Sequence, residues 1–170
     1  MSEETVKAYY LDILRPHFAI QPQAQGTHFS GKRLRIDAII KPHNTSEWKN
    51  KDVAFGVEFK DVERFTKEQD TNNFTKWLSQ CVDYAHTTWD GYGYLHVLAC
   101  PKVIGVLLER DLNYAGLLRN FMSQLGVGEL HELPWHGLSI LMNGHHRIWS
   151  QSKGVESGKT YNMTRIFGSK

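Results

Sequence analysis

RLRIDAII (Arg33–Ile40) and DVAFGVEFK (Asp52–Lys60) are the two stretches that decide how this chain folds. Both alternate apolar and other residues with period two, the mark of strands with two different faces. In the first, Leu34, Ile36, Ala38 and Ile40 are expected on one side, with Arg35, Asp37 and Ile39 on the other. In the second, Val53, Phe55, Val57 and Phe59 share a face, leaving Ala54, Gly56, Glu58 and Lys60 opposite. The polar run KPHNTSEWKNK connects them. If the strands are neighbours, two carboxylates and an ammonium converge above one sheet.

Outward from this pair, Val6, Tyr9, Tyr10, Ile13 and Leu14 recur at helical spacing, predicting a helix over about Glu3–Leu14 with Ser2 as N-cap and Pro16 as stop. QPQAQGTHFSGK (21–32) reads as a loop or hairpin because of its Pro and Gly. After Lys60 a long helix is expected from about Thr66 to Thr87, its apolar stripe formed by Phe74, Trp77, Leu78, Cys81, Val82 and Ala85. Gly91–Gly93 breaks the chain, and a short strand follows at Tyr94–Ala99. VIGVLLE (103–109) is a further strand, and DLNYAGLLRNFMSQLG a helix ending at Gly126. Strands near Glu129–Leu133, Leu138–Met142 and His146–Trp149 complete the pattern. This order gives an α/β (α+β) domain with a mixed sheet over residues 1–150, and a tail at 151–170 that is partly ordered at best.

With 170 residues, 41% hydrophobic and 22% charged, the chain suits one globular domain. A net charge of +2 demands no polyanionic partner, so a nucleic-acid footprint must be local. No apolar stretch approaches membrane length, no signal peptide is visible, and two cysteines without C-x-x-C spacing suit a reducing, cytoplasmic setting.

Carboxylates at Asp37 and Glu58 are hard oxygen donors of the kind Mg²⁺ takes, and a lysine beside them can orient a water or neutralise developing charge. Taken alone, E-x-K is as readily a cross-strand ion pair. Asp37 is the rarer feature, because aspartate is depleted in strands. Farther along, LSQCVDYAH carries Gln80 and Tyr84 one helical turn apart, in line with Asn73 and Trp77 at the border of the apolar stripe.

In its order of helix, Asp-bearing strand, E-x-K strand and helix, the chain resembles the PD-(D/E)XK nuclease superfamily over about residues 3–87. Gln80 and Tyr84 form a Q-x-x-x-Y similar to that of RecB-like and lambda-exonuclease-like members. Ile36 stands where the family name has proline. The resemblance implies a restriction-endonuclease-like core, a central mixed sheet flanked by helices. It further implies a nuclease hydrolysing DNA phosphodiester bonds with Mg²⁺ or Mn²⁺. Asp37 and Glu58 would hold the metal, and Lys60 would assist the attacking water. Gln80 would position that water or a phosphate, and Tyr84 would buttress the site. Recombination, repair, processing or phage and mobile-element defence are the settings this suggests, by analogy only. Arg35, Gln80 and Tyr84 are the expected contacts to DNA, single- or double-stranded; no membrane partner is expected, and a homo-oligomer is compatible with the sequence.

Further basic groups (Lys32, Arg33, Lys41, Lys49, Lys51 and Arg64) and the rings of Trp48, Trp77 and Trp89 offer phosphate contacts and stacking surfaces. Glu3 is the better placed of the first-turn acids to join a metal site. Its ordinary use is to favour the helix dipole. His28 loosely matches an upstream histidine of RecB-like enzymes. HELPWH is not a zinc-protease motif, since His131 and His136 are five residues apart with Pro134 between them. The alternative to an enzyme is a non-catalytic nucleic-acid-binding or protein-interaction module on the same fold.

Overall fold

The computed structural model describes residues 2–59, 71–100, 121–142 and 146–156. Helix α1 (Glu3–Leu14) begins where expected. The Thr5 N–H donates to Ser2 Oγ at 3.3 Å and the Val6 N–H to the Ser2 carbonyl at 3.1 Å. The first satisfies one of the donors orphaned at a helix start, and the second opens the helix ladder. Helix α2 is described over Thr71–Ala85; its predicted first residues, like the predicted strand at 103–109, lie outside the described residues.

Among the described residues, ten strands form one mixed sheet: β1 (Phe18–His28), β2 (Arg33–Pro42), β3 (Phe55–Phe59), β4 (Thr87–Trp89), β5 (Gly93–Tyr94), β6 (His96–Cys100), β7 (Val127–Leu133), β8 (Gly137–Met142), β9 (His146–Ser150) and β10 (Gly154–Val155). Their order across the sheet is β10-β9-β8-β7-β6-β3-β2-β1-β4-β5. β3, β6 and β7 run parallel and all other pairs are antiparallel. The chain is therefore a mixed α/β fold. The sheet continues past residue 150, where β10 pairs with β9 and Arg147 bonds Glu156 at 2.9 Å.

The stretch read as a loop at 21–32 is mostly strand. Pro22 lies within β1, opposite Ala38. Its missing donor is tolerated because β4 covers the far side of β1 only at Gly26–His28. At Gly26 a Cβ would lie 2.7 Å from Thr87 Cγ2 and 2.8 Å from the Thr88 carbonyl, so only glycine lets β4 approach this closely. The expected strand at Tyr94–Ala99 is likewise split, into β5 and β6.

Apolar side chains gather on both faces of the sheet. One layer joins Val6, Tyr10, Leu11 and Leu14 of α1 to Ala38, Ile40, Phe55, Val57, Phe59 and Cys100. The other joins Trp77, Leu78, Cys81, Tyr84 and Ala85 of α2 to Ile36, Ile39, Val97 and Ala99. Both cysteines are buried free thiols, one in each layer.

The predicted alternation holds in β3 and fails in β2. Ile36 packs with Ile39 on the α2 side, while Ala38 and Ile40 face α1. The break falls at Asp37. Across from it Gln23 has φ 50°, and the β1–β2 register steps from Pro22↔Ala38 to Ala24↔Ile36 without pairing Gln23 with Asp37. A left-handed residue in one strand turns both strands at this point. Gly56 makes room for the displaced side chain: a Cβ there would lie 2.7 Å from Ile36 Cδ1.

Candidate active site

Asp37 sits at this turn, and its carboxylate reaches past the end of the β2–β3 ladder. The ladder ends at the pair Ala38↔Val57, and the same register extended by one residue sets Asp37 across from Glu58. There the Phe59 N–H donates to Asp37 Oδ2 at 2.9 Å, so a side chain takes the acceptor's place in the ladder. Asp37 Oδ1 accepts from Lys7 Nζ at 3.0 Å. Lys7 comes from α1, and its side chain is 11% exposed against 23% for that of Asp37. One turn earlier, Glu3 lies on the same helical face as Lys7 and is half-buried.

Glu58 is 4% exposed and belongs to the opposite, α2-facing side of β3. Its carboxylate acts on Tyr84. The Tyr84 phenol is pushed far above its usual range, first by burial and then by the charge of Glu58, with a smaller push from Asp37. Burial and the charge of Asp37 also push up the Cys100 thiol in the other layer. The charge of Asp37 thus bears on one group in each layer.

Gln80 and Tyr84 do come together. The Gln80 carboxamide donates to Tyr84 Oη, and Tyr84 donates to the Arg35 carbonyl at 2.7 Å. The Q-x-x-x-Y pair therefore ties α2 to β2 two residues before Asp37. Arg35 enters this network through its main chain, and its side chain is exposed. Between α2 and the start of β2 lies an open cleft of about 590 Å³, lined by Lys32, Leu34, Lys76, Ser79, Gln80, Asp83 and Tyr84.

Lys60 and Arg64 lie outside the described residues, as does the side chain of Asn73. Trp48, Trp77 and Trp89 are at most 2% exposed and belong to the core, so they offer no stacking surface. Arg33 is held by Asp90, at 2.6 Å for the shorter contact, and by Gln25 and Thr27. Lys51 caps the Thr45 and Ser46 carbonyls. His28 Nε2 is 4.0 Å from Asp83 Oδ1, which brings it to the end of α2.

Two charged groups here escaped sequence reasoning. Lys7 belongs to no motif in the sequence; only its 3.0 Å contact with Asp37 shows what it meets. Glu129 is 4% exposed on β7 and lies in one row with Glu58 through Ala99. Its place between Val127 and Leu130 in a short strand was the available signal.

As a cation site, Asp37 and Glu58 supply hard oxygen donors, and each carboxylate oxygen can accept more than one partner. Lys7 already compensates the charge of Asp37 and would compete with an added cation there. Among the described residues, no group of three or more His, Cys, Asp or Glu is gathered to hold a metal. No described helix is long and apolar enough to cross a membrane. No family model, curated protein or solved structure matches the chain.

Proposed function

We propose that this chain is a divalent-metal-dependent nuclease that hydrolyses DNA phosphodiester bonds, on a restriction-endonuclease-like core of the PD-(D/E)XK type. One observation carries the reading: the register that sets Asp37 across from Glu58, at a turn in the sheet to which Tyr84 and Gln80 are tied from α2.

In this reading Asp37 and Glu58 hold Mg²⁺ or Mn²⁺. When bound, the metal supplies Lewis-acid polarisation of a phosphate oxygen and acidification of a water. Lys60, next in the chain after β3, orients the attacking water and offsets charge developing on the phosphate. Gln80 faces the cleft, where its carboxamide can hold a water or a phosphate oxygen. Tyr84, whose pKa burial raises, acts as a donor bracing β2. Lys7 orients the Asp37 carboxylate through its 3.0 Å contact.

The test is degradation of linear DNA with Mg²⁺ or Mn²⁺ and with EDTA. The parent should cut only with metal. Asp37→Asn, Glu58→Gln and Lys60→Ala should each lose about a hundredfold or more in rate while keeping the parent's circular dichroism. Cutting by Glu58→Gln at the parent rate would sink the proposal.

A specific observation favours a second reading, a binding module that does not cut. Both oxygens of Asp37 already accept hydrogen bonds, from Lys7 and from the Phe59 N–H, so Asp37 serves the fold without any metal. No metal-dependent cleavage, with no rise in melting temperature on adding Mn²⁺, would select it.

A further inference from the structure

The β1–β2 hairpin ends in an aromatic side chain that the core does not use. Phe29 is 78% exposed at the tip. The tip itself is fixed. The His28 N–H donates to the Lys32 carbonyl at 2.9 Å and the Gly31 N–H to the His28 carbonyl at 2.8 Å, with Gly31 at φ 87°. The Phe29 N–H donates to the His86 carbonyl just beyond α2, at 3.3 Å. The Phe29 ring leans on that of His28, with centroids 4.2 Å apart, and approaches that of His86 edge-on at 6.5 Å.

This aromatic tip adjoins the cleft. Lys32, at the base of the turn, and Lys76, on α2, both line it. Among the described residues neither ammonium makes an ion pair. Asp83, the acid of the cleft, faces His28 Nε2. Gln80 leads from the cleft to Tyr84 and the region of Glu58.

We propose that Phe29 is a base-stacking platform and the Lys32–Lys76 cleft a phosphate track, together binding single-stranded DNA. A fixed ring can stack on any unpaired base, and two uncommitted cations along one groove suit a phosphate backbone. A continuous duplex keeps its bases stacked on one another and offers the ring nothing. The inference rests on the nuclease reading for the identity of the polymer and deepens it: the strand reaches the Asp37–Glu58 region unpaired, by way of Gln80.

The experiment measures binding alone, by fluorescence anisotropy in EDTA. The probes are a labelled 20-nucleotide DNA strand, RNA of the same sequence, and a dumbbell duplex with no free ends. The parent should bind the DNA strand more tightly than the dumbbell. Phe29→Ala should weaken strand binding about fivefold or more and leave the dumbbell unchanged. Phe29→Leu, which keeps apolar bulk without a ring, should behave like Phe29→Ala. Replacing both Lys32 and Lys76 by Gln should lower the salt dependence of strand binding by about 1.4 in logarithmic slope, roughly 0.7 per cation.

Equal affinity of parent and Phe29→Ala for the strand overturns the platform, as does recovery in Phe29→Leu. An unchanged salt slope overturns the track, and tighter binding of the RNA overturns the choice of DNA. Because binding is read without metal, it is separable from cutting: strand binding in EDTA together with no cleavage in the Mg²⁺ or Mn²⁺ assay would sink the nuclease reading and leave this one standing. Cleavage with strand binding indifferent to Phe29 would do the reverse.

Discussion

Asp37 holds together three elements, reaching 30 residues back to α1 through Lys7 and 22 residues forward to β3 through the Phe59 N–H, with β2 held by its own backbone. Replacing Lys7 by Met keeps the aliphatic stem and removes the donor. The carboxylate is then left half-buried with one partner fewer, which should cost about 1–3 kcal/mol of folding stability. Urea denaturation in EDTA measures the loss. If Asp37 also takes a metal, Mn²⁺ should raise the variant's midpoint more than the parent's, since the competing ammonium is gone. A variant as stable as the parent would mean that the ion pair does nothing for the fold. Gln80 and Tyr84 were readable as a pair because the helix period sets residues four apart on one face, and the face of Glu58 because alternation holds in β3; Asp37 stands where that alternation breaks. Lys7 was not readable, because its partner is set by the packing of α1 on the sheet, which no local pattern encodes.

At the scale of elements, α1 and the faces of β3 follow directly from periodicity, since their apolar residues have a single layer to satisfy. β1 was hidden because Pro22, Gly26 and a polar composition are turn signals locally. The strand survives because its open edge excuses the proline and its glycine is needed for β4. Gly26→Ala should therefore lower stability by about 1–3 kcal/mol, because the Thr88 carbonyl that the new Cβ would strike belongs to the backbone. The urea midpoint reads this directly, and an undiminished midpoint would contradict the close β1–β4 approach. The turn of β2 at Asp37 was equally invisible: strict alternation is the sequence's default, and it took Gln23 at φ 50° on the neighbouring strand to break it.

Across the whole molecule, each layer buries one phenol with a raised pKa, Tyr10 against α1's side of the sheet and Tyr84 against α2's. Burial is the first cause for both, reinforced by Cys100 and Glu132 at Tyr10 and by Glu58 at Tyr84. A group whose folded pKa is raised gives stability that is complete below its unfolded value and lost as pH climbs towards the folded one. Stability should thus hold up to the usual tyrosine value of 10.0 and fall above it. Urea midpoints between pH 8 and pH 11 test this, and Tyr84→Phe should flatten the alkaline fall by removing one of the two protons. A fall of the same steepness in that variant would place the cause elsewhere.

Cys81 and Cys100 give the molecule a built-in pair of reporters. Each thiol is sealed beneath a different cover, so a small alkylating reagent added to the native protein would time two separate openings. Modification at position 81 alone would record the lifting of α2, whereas joint modification at both positions would record loss of the whole fold.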